Sequence, residues 1–331
     1  SQLRVGDVAV IDRTADMLWP SARVNTTAHW PKVGARRIEP KTLPREIDEH
    51  VAHILGALVA EGTVKEHELE FCNGDAVWMQ EFDIRWQKTF PDCRLHRFTR
   101  TPSSYGKKPY YTREIHSNHV IEFLRGIGLS PVKSRGKTVP FLVLRSPKSV
   151  VAEFLRAYFE GDGSISVSGR MTELSCISVS ETLLDELQVL LLRFGIAATK
   201  RFDRYRGTHK LYIRGLENYR RFQLHIGFVS ERKNKKLSQS VARQQKERSA
   251  TDFIPLISNF ARTHLDEGKR WNGREFVLKH NFDRYGNLED RSARVVATIE
   301  PKVQVATAAM FRQLLKTLYF FDPIVKAEDG G

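Results

Sequence analysis

An internal repeat of about 100 residues constrains this chain more than any other feature. Ile54-Leu55-Gly56-Ala57-Leu58-Val59-Ala60-Glu61-Gly62 closes one apolar helical run, and Leu155-Arg156-Ala157-Tyr158-Phe159-Glu160-Gly161-Asp162-Gly163 closes another. Both continue into β-branched segments, Thr63-Val64 and Ser164-Ile165-Ser166-Val167. Residues 69–72 and 173–179 alternate like strands, and residues 75–90 and 180–194 carry helical apolar spacing. Residues 94–100 and 109–116 read as strands in the first copy, as do 197–203 and 209–214 in the second. Helices at 117–126 and 216–225 end at Gly126-Ile127-Gly128-Leu129 and Ile226-Gly227-Phe228. Each copy thus reads αββαββα. The expected fold is α+β, a pseudo-symmetric monomer whose equivalent elements pack across an axis as in a symmetric dimer. The expected division is an N-terminal flank at 1–45, repeat halves at 46–145 and 146–240, and a mostly helical C-terminal appendage at 241–331, with one apolar helix near 305–320.

The ends of the two repeated helices carry the chemistry. Gly56, Ala57 and Ala60 in one, with Ala157 and Gly161 in the other, permit close backbone approach. Close packing brings both C-termini together, with Gly62 and Gly163 expected to supply the backbone freedom that breaks each helix. Glu61 and Asp162 then sit side by side, each at the negative end of a helix dipole. That arrangement is costly unless a cation bridges it. Hard oxygen ligands with room for water and phosphate oxygens suit Mg²⁺, which could activate water and stabilise the leaving oxygen of a phosphodiester. A single such motif would be read as an ordinary solvated helix end; two, placed alike in a repeat, point to a site.

Charge points to the partner. Lys plus Arg number 53 against 39 Asp plus Glu, a net +14, which favours a polyanion through phosphate neutralisation and counterion release. The basic residues repeat in register. Arg94, Arg97, Arg100, Lys107, Lys108 and Arg113 fall on two strands and the intervening loop of the first half; Lys200, Arg201, Arg204, Arg206, Lys210 and Arg214 fall on the same elements of the second. Two-stranded ribbons fit the major groove, so these residues are expected to contact double-stranded DNA, together with Ser166, Ser168, Arg170, Lys233 and Lys236. Residues 226–250, basic and Gln-rich, read as a linker or a helix lying on DNA. Cys72, Cys93 and Cys176 form no C-x-x-C pair, which argues against a zinc or redox site. Arg4, Asp7 and Asp12 interrupt every apolar run near the N-terminus, and no stretch is apolar enough to span a bilayer. The expectation is a cytoplasmic protein acting on nucleoid DNA, with no membrane and no obligate protein partner.

The two segments resemble the paired signature helices of LAGLIDADG homing endonucleases. The resemblance covers residues 49–237. It implies a fold of two αββαββα repeats forming a DNA-binding saddle. It also implies metal-dependent hydrolysis of both strands of a long asymmetric DNA site, with Mg²⁺ as cofactor and Mn²⁺ or Ca²⁺ able to replace it in binding. Carried over residue by residue, the metal-binding acids are Glu61 and Asp162, with the carbonyls of Ala60 and Gly161 as further ligands. Lys137, in Lys137-Thr138-Val139-Pro140, resembles the lysine found between the signature motifs. Pairing Val139 with Leu237 through the repeat sets Lys235 opposite it, with Lys233 and Lys236 as competitors. Leu3-Arg4-Val5-Gly6-Asp7-Val8-Ala9-Val10 and the tail at 320–331 resemble segments of intein splicing domains, which implies the nuclease portion of an intein. The alternatives are a non-cleaving nucleic-acid-binding relative, maturase-like or regulator-like, and an inactive intein remnant.

Overall fold

The computed structural model describes residues 4–13, 19–32, 39–101, 108–168, 171–243, 260, 262–270, 300–316 and 319–324. Arg170 and Lys107, both expected on the DNA surface, lie outside the described residues.

The first half begins with α1 (Glu49–Glu61), whose N-terminus is capped by Asp48 accepting from the His50 and Val51 amides. There follow β2 (Gly62–Val64), β3 (Leu69–Asn73), α2 (Ala76–Thr89), β4 (His96–Arg100), β5 (Tyr110–Ile115) and α3 (Asn118–Gly126). A four-residue helical turn, α4 (Phe141–Leu144), leads into the second half. That half contains α5 (Lys148–Gly161), β6 (Gly163–Ser168), β7 (Met171–Ser178), α6 (Glu181–Arg193), β8 (Ala198–Asp203), β9 (Thr208–Ile213) and α7 (Leu216–His225). Each half folds its strands into one antiparallel four-stranded sheet, ordered β2-β3-β5-β4 and β6-β7-β9-β8. The two orders are the same under the repeat.

The basic Gln-rich stretch is in part a helix, α8 (Glu231–Arg243), anchored by buried Leu237 and Ser240. Near the ends, β1 (Val8–Asp12) pairs antiparallel with β10 (Tyr319–Pro323), and α9 (Val305–Lys316) is the apolar helix expected near 305–320.

Packing follows alternation along each strand. Leu69, Phe71, Leu174 and Cys176 face the helices and are buried. Between β3 and α2, Phe71 meets Trp78 edge-on and stacks on Phe82, which in turn stacks on Trp86. In the second half Leu183, Leu184, Leu187, Leu190 and Leu191 seal α6 onto its sheet. Along their shared interface α1 and α5 are buried over most of their length. A buried polar seam crosses it: His53 Nδ1 lies 2.8 Å from Glu153, which also meets Arg85 at 3.2 Å and Arg156 at 2.9 Å. A carboxylate buried among those partners is compensated rather than stranded.

Glycine closes both signature helices for a reason other than backbone freedom. Gly62 has φ −88°, an ordinary extended conformation, and Gly163 is not among the positive-φ glycines. A Cβ would instead strike a carbonyl of the helix itself, Leu58 O at 2.4 Å for Gly62 and Phe159 O at 2.3 Å for Gly163. The requirement is room at the sharp helix-to-strand turn.

Candidate active site and nucleic-acid face

The signature helices touch backbone to side chain. A Cβ on Gly56 would stand 2.3 Å from the Phe154 carbonyl and 3.0 Å from Ala157 Cβ. Nearer the C-termini, a Cβ on Gly161 would meet Ala60 Cβ at 2.7 Å and Glu61 Cγ at 3.0 Å. Such contacts are available only to glycine, and they set the two acids next to one another across the crossing. Glu61 receives Asn73 Nδ2 at 3.4 Å. Tyr158, fully buried, lies one helical turn before Asp162.

The proximity has an electrostatic consequence. The Asp162 carboxyl is pushed up to about 7, first by burial and then by the charge of Glu61; Lys137, Tyr158 and Lys233 oppose the rise. Burial also raises Glu61, against Lys137, Lys233 and Asn73. Two carboxyls and two ammonium groups therefore form one interacting cluster.

The lysines are arranged as a pair. Lys137 Nζ donates to Val59 O at 2.8 Å, Gly62 O at 3.2 Å and Ala60 O at 3.4 Å. Lys233 Nζ donates to Gly163 O at 2.9 Å, Phe159 O at 3.3 Å and, more closely still, Glu160 O. Each satisfies the carbonyls left unpaired at its helix C-terminus and complements the dipole there. Burial lowers both ammonium groups, opposed at Lys137 by Asp162 and Glu61 and at Lys233 mainly by Glu160.

The counterpart of Lys137 is thus Lys233, not Lys235, which is exposed on α8. The buried apolar anchors Val139 and Leu237 do correspond, but Val139 follows its lysine by two residues of extended chain. Leu237 follows Lys233 by one helical turn of four residues. Side chains return to the same side every two residues in extended chain and every three or four in a helix, so counting back equally lands on the wrong lysine. Lys236, half-buried on α8, makes no described contact with the acids.

The remaining donor set fits a divalent cation in part. Among the described residues no group of three or more His, Cys, Asp or Glu side chains could hold a metal ion. Two adjacent carboxyls, each raised by burial, nevertheless carry negative charge that a cation would relieve. Such a site needs water and phosphate oxygens to complete its shell. The Ala60 carbonyl is already shared with Lys137. Gly161 lies in the crossing itself.

On the sheets, register divides the expected DNA-contact residues. Arg113 pairs with Phe71 and Arg97 across the ladders, which turns both arginines to the helix side. There Asp83 of α2 takes Arg113 at 2.6 Å and Arg97 at 2.9 Å, and Arg113 is only 8% exposed. Lys200 likewise pairs with Leu211 on the inner side and bonds Glu181 at 2.9 Å and Asp185. Arg113 and Lys200 belong to sheet–helix packing, whereas Arg97, held by the same acid as Arg113, keeps 55% of its side chain exposed. The opposite faces carry Arg100, paired with Glu114, in the first half. In the second they carry exposed Ser166, Ser168 and Arg201, with Lys210 held by Glu173 at 2.7 Å. Arg214 lies over Tyr212 with its guanidinium 4.3 Å from the ring centroid. Arg94 and Lys108 are exposed at strand ends, and Arg204 and Arg206 flank the fully exposed Tyr205 at the β8–β9 turn.

Sequence reasoning missed Asn73, Tyr158, Glu160, Ser180 and Glu186, all near the acids or the lysine segments. Only Glu160, an acid two residues before Asp162, carried any signal.

Known proteins match parts of this chain. The model of the LAGLIDADG-like domain matches residues 149–227. A DNA gyrase subunit of Mycolicibacterium flavescens is 26% identical over 281 residues, covering 84% of this chain and 49% of that protein. Replication factor C small subunit of Methanocaldococcus jannaschii is 30% identical over 219 residues, covering 62% of this chain and 11% of that protein. The chain spans about half the length of the gyrase relatives it matches. Among solved structures, the homing endonuclease I-WcaI bound to its DNA recognition sequence is 13% identical with a TM-score of 0.43, covering 57% of this chain and 85% of that one. With its duplicated αββαββα units and converging helix ends, this chain carries a LAGLIDADG-like domain over residues 149–227.

Proposed function

We propose that this chain is a site-specific DNA endonuclease that hydrolyses a phosphodiester on each strand of a long, asymmetric duplex. The observation that carries the reading is the convergence of Glu61 and Asp162 with Lys137 and Lys233 at the crossing of two repeated helices. In this reading the two acids hold Mg²⁺, which supplies charge stabilisation and an activated water at the phosphate. The chain's own residues do the rest. Gly56 and Gly161 let the helices close, Asn73 orients Glu61, and the lysines cap the helix ends and offer positive charge beside the reacting phosphate. The helix-free sheet faces would lie along the grooves on either side, as a monomer on one duplex.

We further infer that the chain is the nuclease portion of an intein, with residues 46–145 and 146–240 as its two nuclease halves. Proteins with unrelated names, a DNA gyrase, a replication factor and a translation initiation factor, match it over 49%, 11% and 14% of their lengths. A segment shared by such different proteins is more simply an insert than part of their separate functions.

A plasmid library carrying randomised sites, incubated with and without Mg²⁺, tests the activity. Linear product should form only with the metal, and Asp162→Asn should bind the selected site normally but not cut it. Normal cutting by that variant would refute the metal assignment. A second reading, a nucleic-acid-binding protein that does not cut, takes its support from there being only two carboxylates, with no third His, Cys, Asp or Glu side chain beside them among the described residues; site-specific binding without nicking would establish it.

A further inference from the structure

The two lysines occupy matching places, yet the segments that carry them are fastened differently. The segment bearing Lys137 ends the first half but is held by the second. Ser180 Oγ, the N-cap of α6, donates to Lys137 O at 2.6 Å. Two residues on, the Val139 amide donates to Glu186 Oε2 at 2.6 Å, and Glu186 also belongs to α6. The segment before Lys233 is held by its own signature helix instead. Glu160 Oε2 accepts from the Val229 amide at 2.9 Å and the Ser230 amide at 3.0 Å, and Glu160 Oε1 lies 3.6 Å from Lys233 Nζ.

The repeat explains why neither device serves both halves. The residue matching Glu160 is Val59, which has no acceptor. Counted from the matching caps Ser180 and Asp75, the residue matching Glu186 is Glu81, and it bonds Arg85 at 2.7 Å. Amide-to-carboxylate bonds of this kind are charge-assisted and short. Each one fixes a backbone segment within a few residues of an ammonium group that must be placed to a fraction of an ångström to act on a phosphate.

We propose that Glu186 and Glu160 are positioning residues, one for each lysine, so that loss of either slows the cut on one DNA strand and spares the other. This rests on the nuclease reading. It adds that control of the two cuts is divided: the Lys137 side depends on contact between the halves, and the Lys233 side depends on the second half alone.

The test uses the full chain on a duplex carrying its selected site, labelled on one strand or the other, under single-turnover conditions with Mg²⁺. Glu186→Ala should slow one strand about tenfold, so that nicked duplex accumulates. Glu160→Ala should slow the opposite strand; where it fails to fold, Glu160→Met, which keeps the length of the side chain but removes the acceptor for the Val229 and Ser230 amides, replaces it. Glu186→Gln retains an oxygen for the Val139 amide and should restore even cutting. Amide hydrogen exchange supplies a readout independent of cleavage. Val139 should exchange faster in Glu186→Ala and at the native rate in Glu186→Gln. Equal slowing of both strands, or an unchanged Val139 exchange rate, would overturn the proposal. A wild-type protein that binds its site and cuts neither strand would remove the nuclease reading, and the strand assignment with it.

Discussion

Asp162 is the residue whose chemistry can be read before any substrate is found. Its carboxyl ordinarily titrates at 3.8 and is pushed up to about 7 by burial and by Glu61. The folded protein therefore keeps a proton that the unfolded chain has already lost between those values. Stability falls as pH rises through that window and levels off above it. The contribution is on the order of a few kcal/mol. In the presence of a chelator, the melting temperature should decline from pH 4 to pH 7, and Asp162→Asn should flatten the decline. A divalent cation should raise the melting temperature far more at pH 8 than at pH 5, because only the ionised pair binds it. An equal cation effect at both values would show that the acids are not the ligands. Both acids were legible in the sequence because the motif repeats. Asn73, which donates to Glu61, was not: it comes from a neighbouring strand.

At the scale of elements, the crossing of α1 and α5 is the joint on which the site depends. Gly56→Ala would drive a methyl group to within 2.3 Å of a backbone carbonyl, a collision that no side-chain rotation relieves. The helices must move apart, at a cost of roughly 1–3 kcal/mol. Urea unfolding should show that loss, whereas Gly74→Ala, whose added methyl would meet nothing within 4 Å, should change stability by no more than about 1 kcal/mol. Equal losses for the two variants would mean that the helices are not held at contact distance. Both repeats of strand and helix were legible to within a residue or two because buried alternation and helical spacing are strong in each, as in Leu174-Cys176 and Leu183-Leu184-Leu187. Which face each basic strand residue takes was not legible. Arg97, Arg113 and Lys200 turn inward because acids on α2 and α6 receive them. Those acids are distant in sequence, and a one-residue register choice decides the face.

Over the whole molecule, the +14 charge is less concentrated on the sheet faces than strand counts suggest. Arg100 and Lys210 face outward with carboxylates beside them. Cations are more freely presented at the margins, at Arg94, Lys108, Arg204 and Arg206. Charge at a margin reaches phosphates, whereas a paired cation on the face is held in one orientation and suits the reading of base edges. The two groups should therefore fail differently. Replacing Arg204 and Arg206 together by Ala should weaken binding to specific and random duplexes alike. It should also lower the slope of log affinity against log salt by close to two, since each phosphate contact contributes about 0.9. Lys210→Ala should weaken the selected site more than random DNA and change the slope by less than one. Arg113→Ala should leave the slope untouched and lower the melting temperature instead, because the largely buried Asp83 then keeps only the more exposed Arg97 as its partner. Binding titrations over a tenfold range of salt separate the three outcomes, and a reduced slope for Arg113→Ala would mean that the inner side of the first sheet is the side that meets DNA.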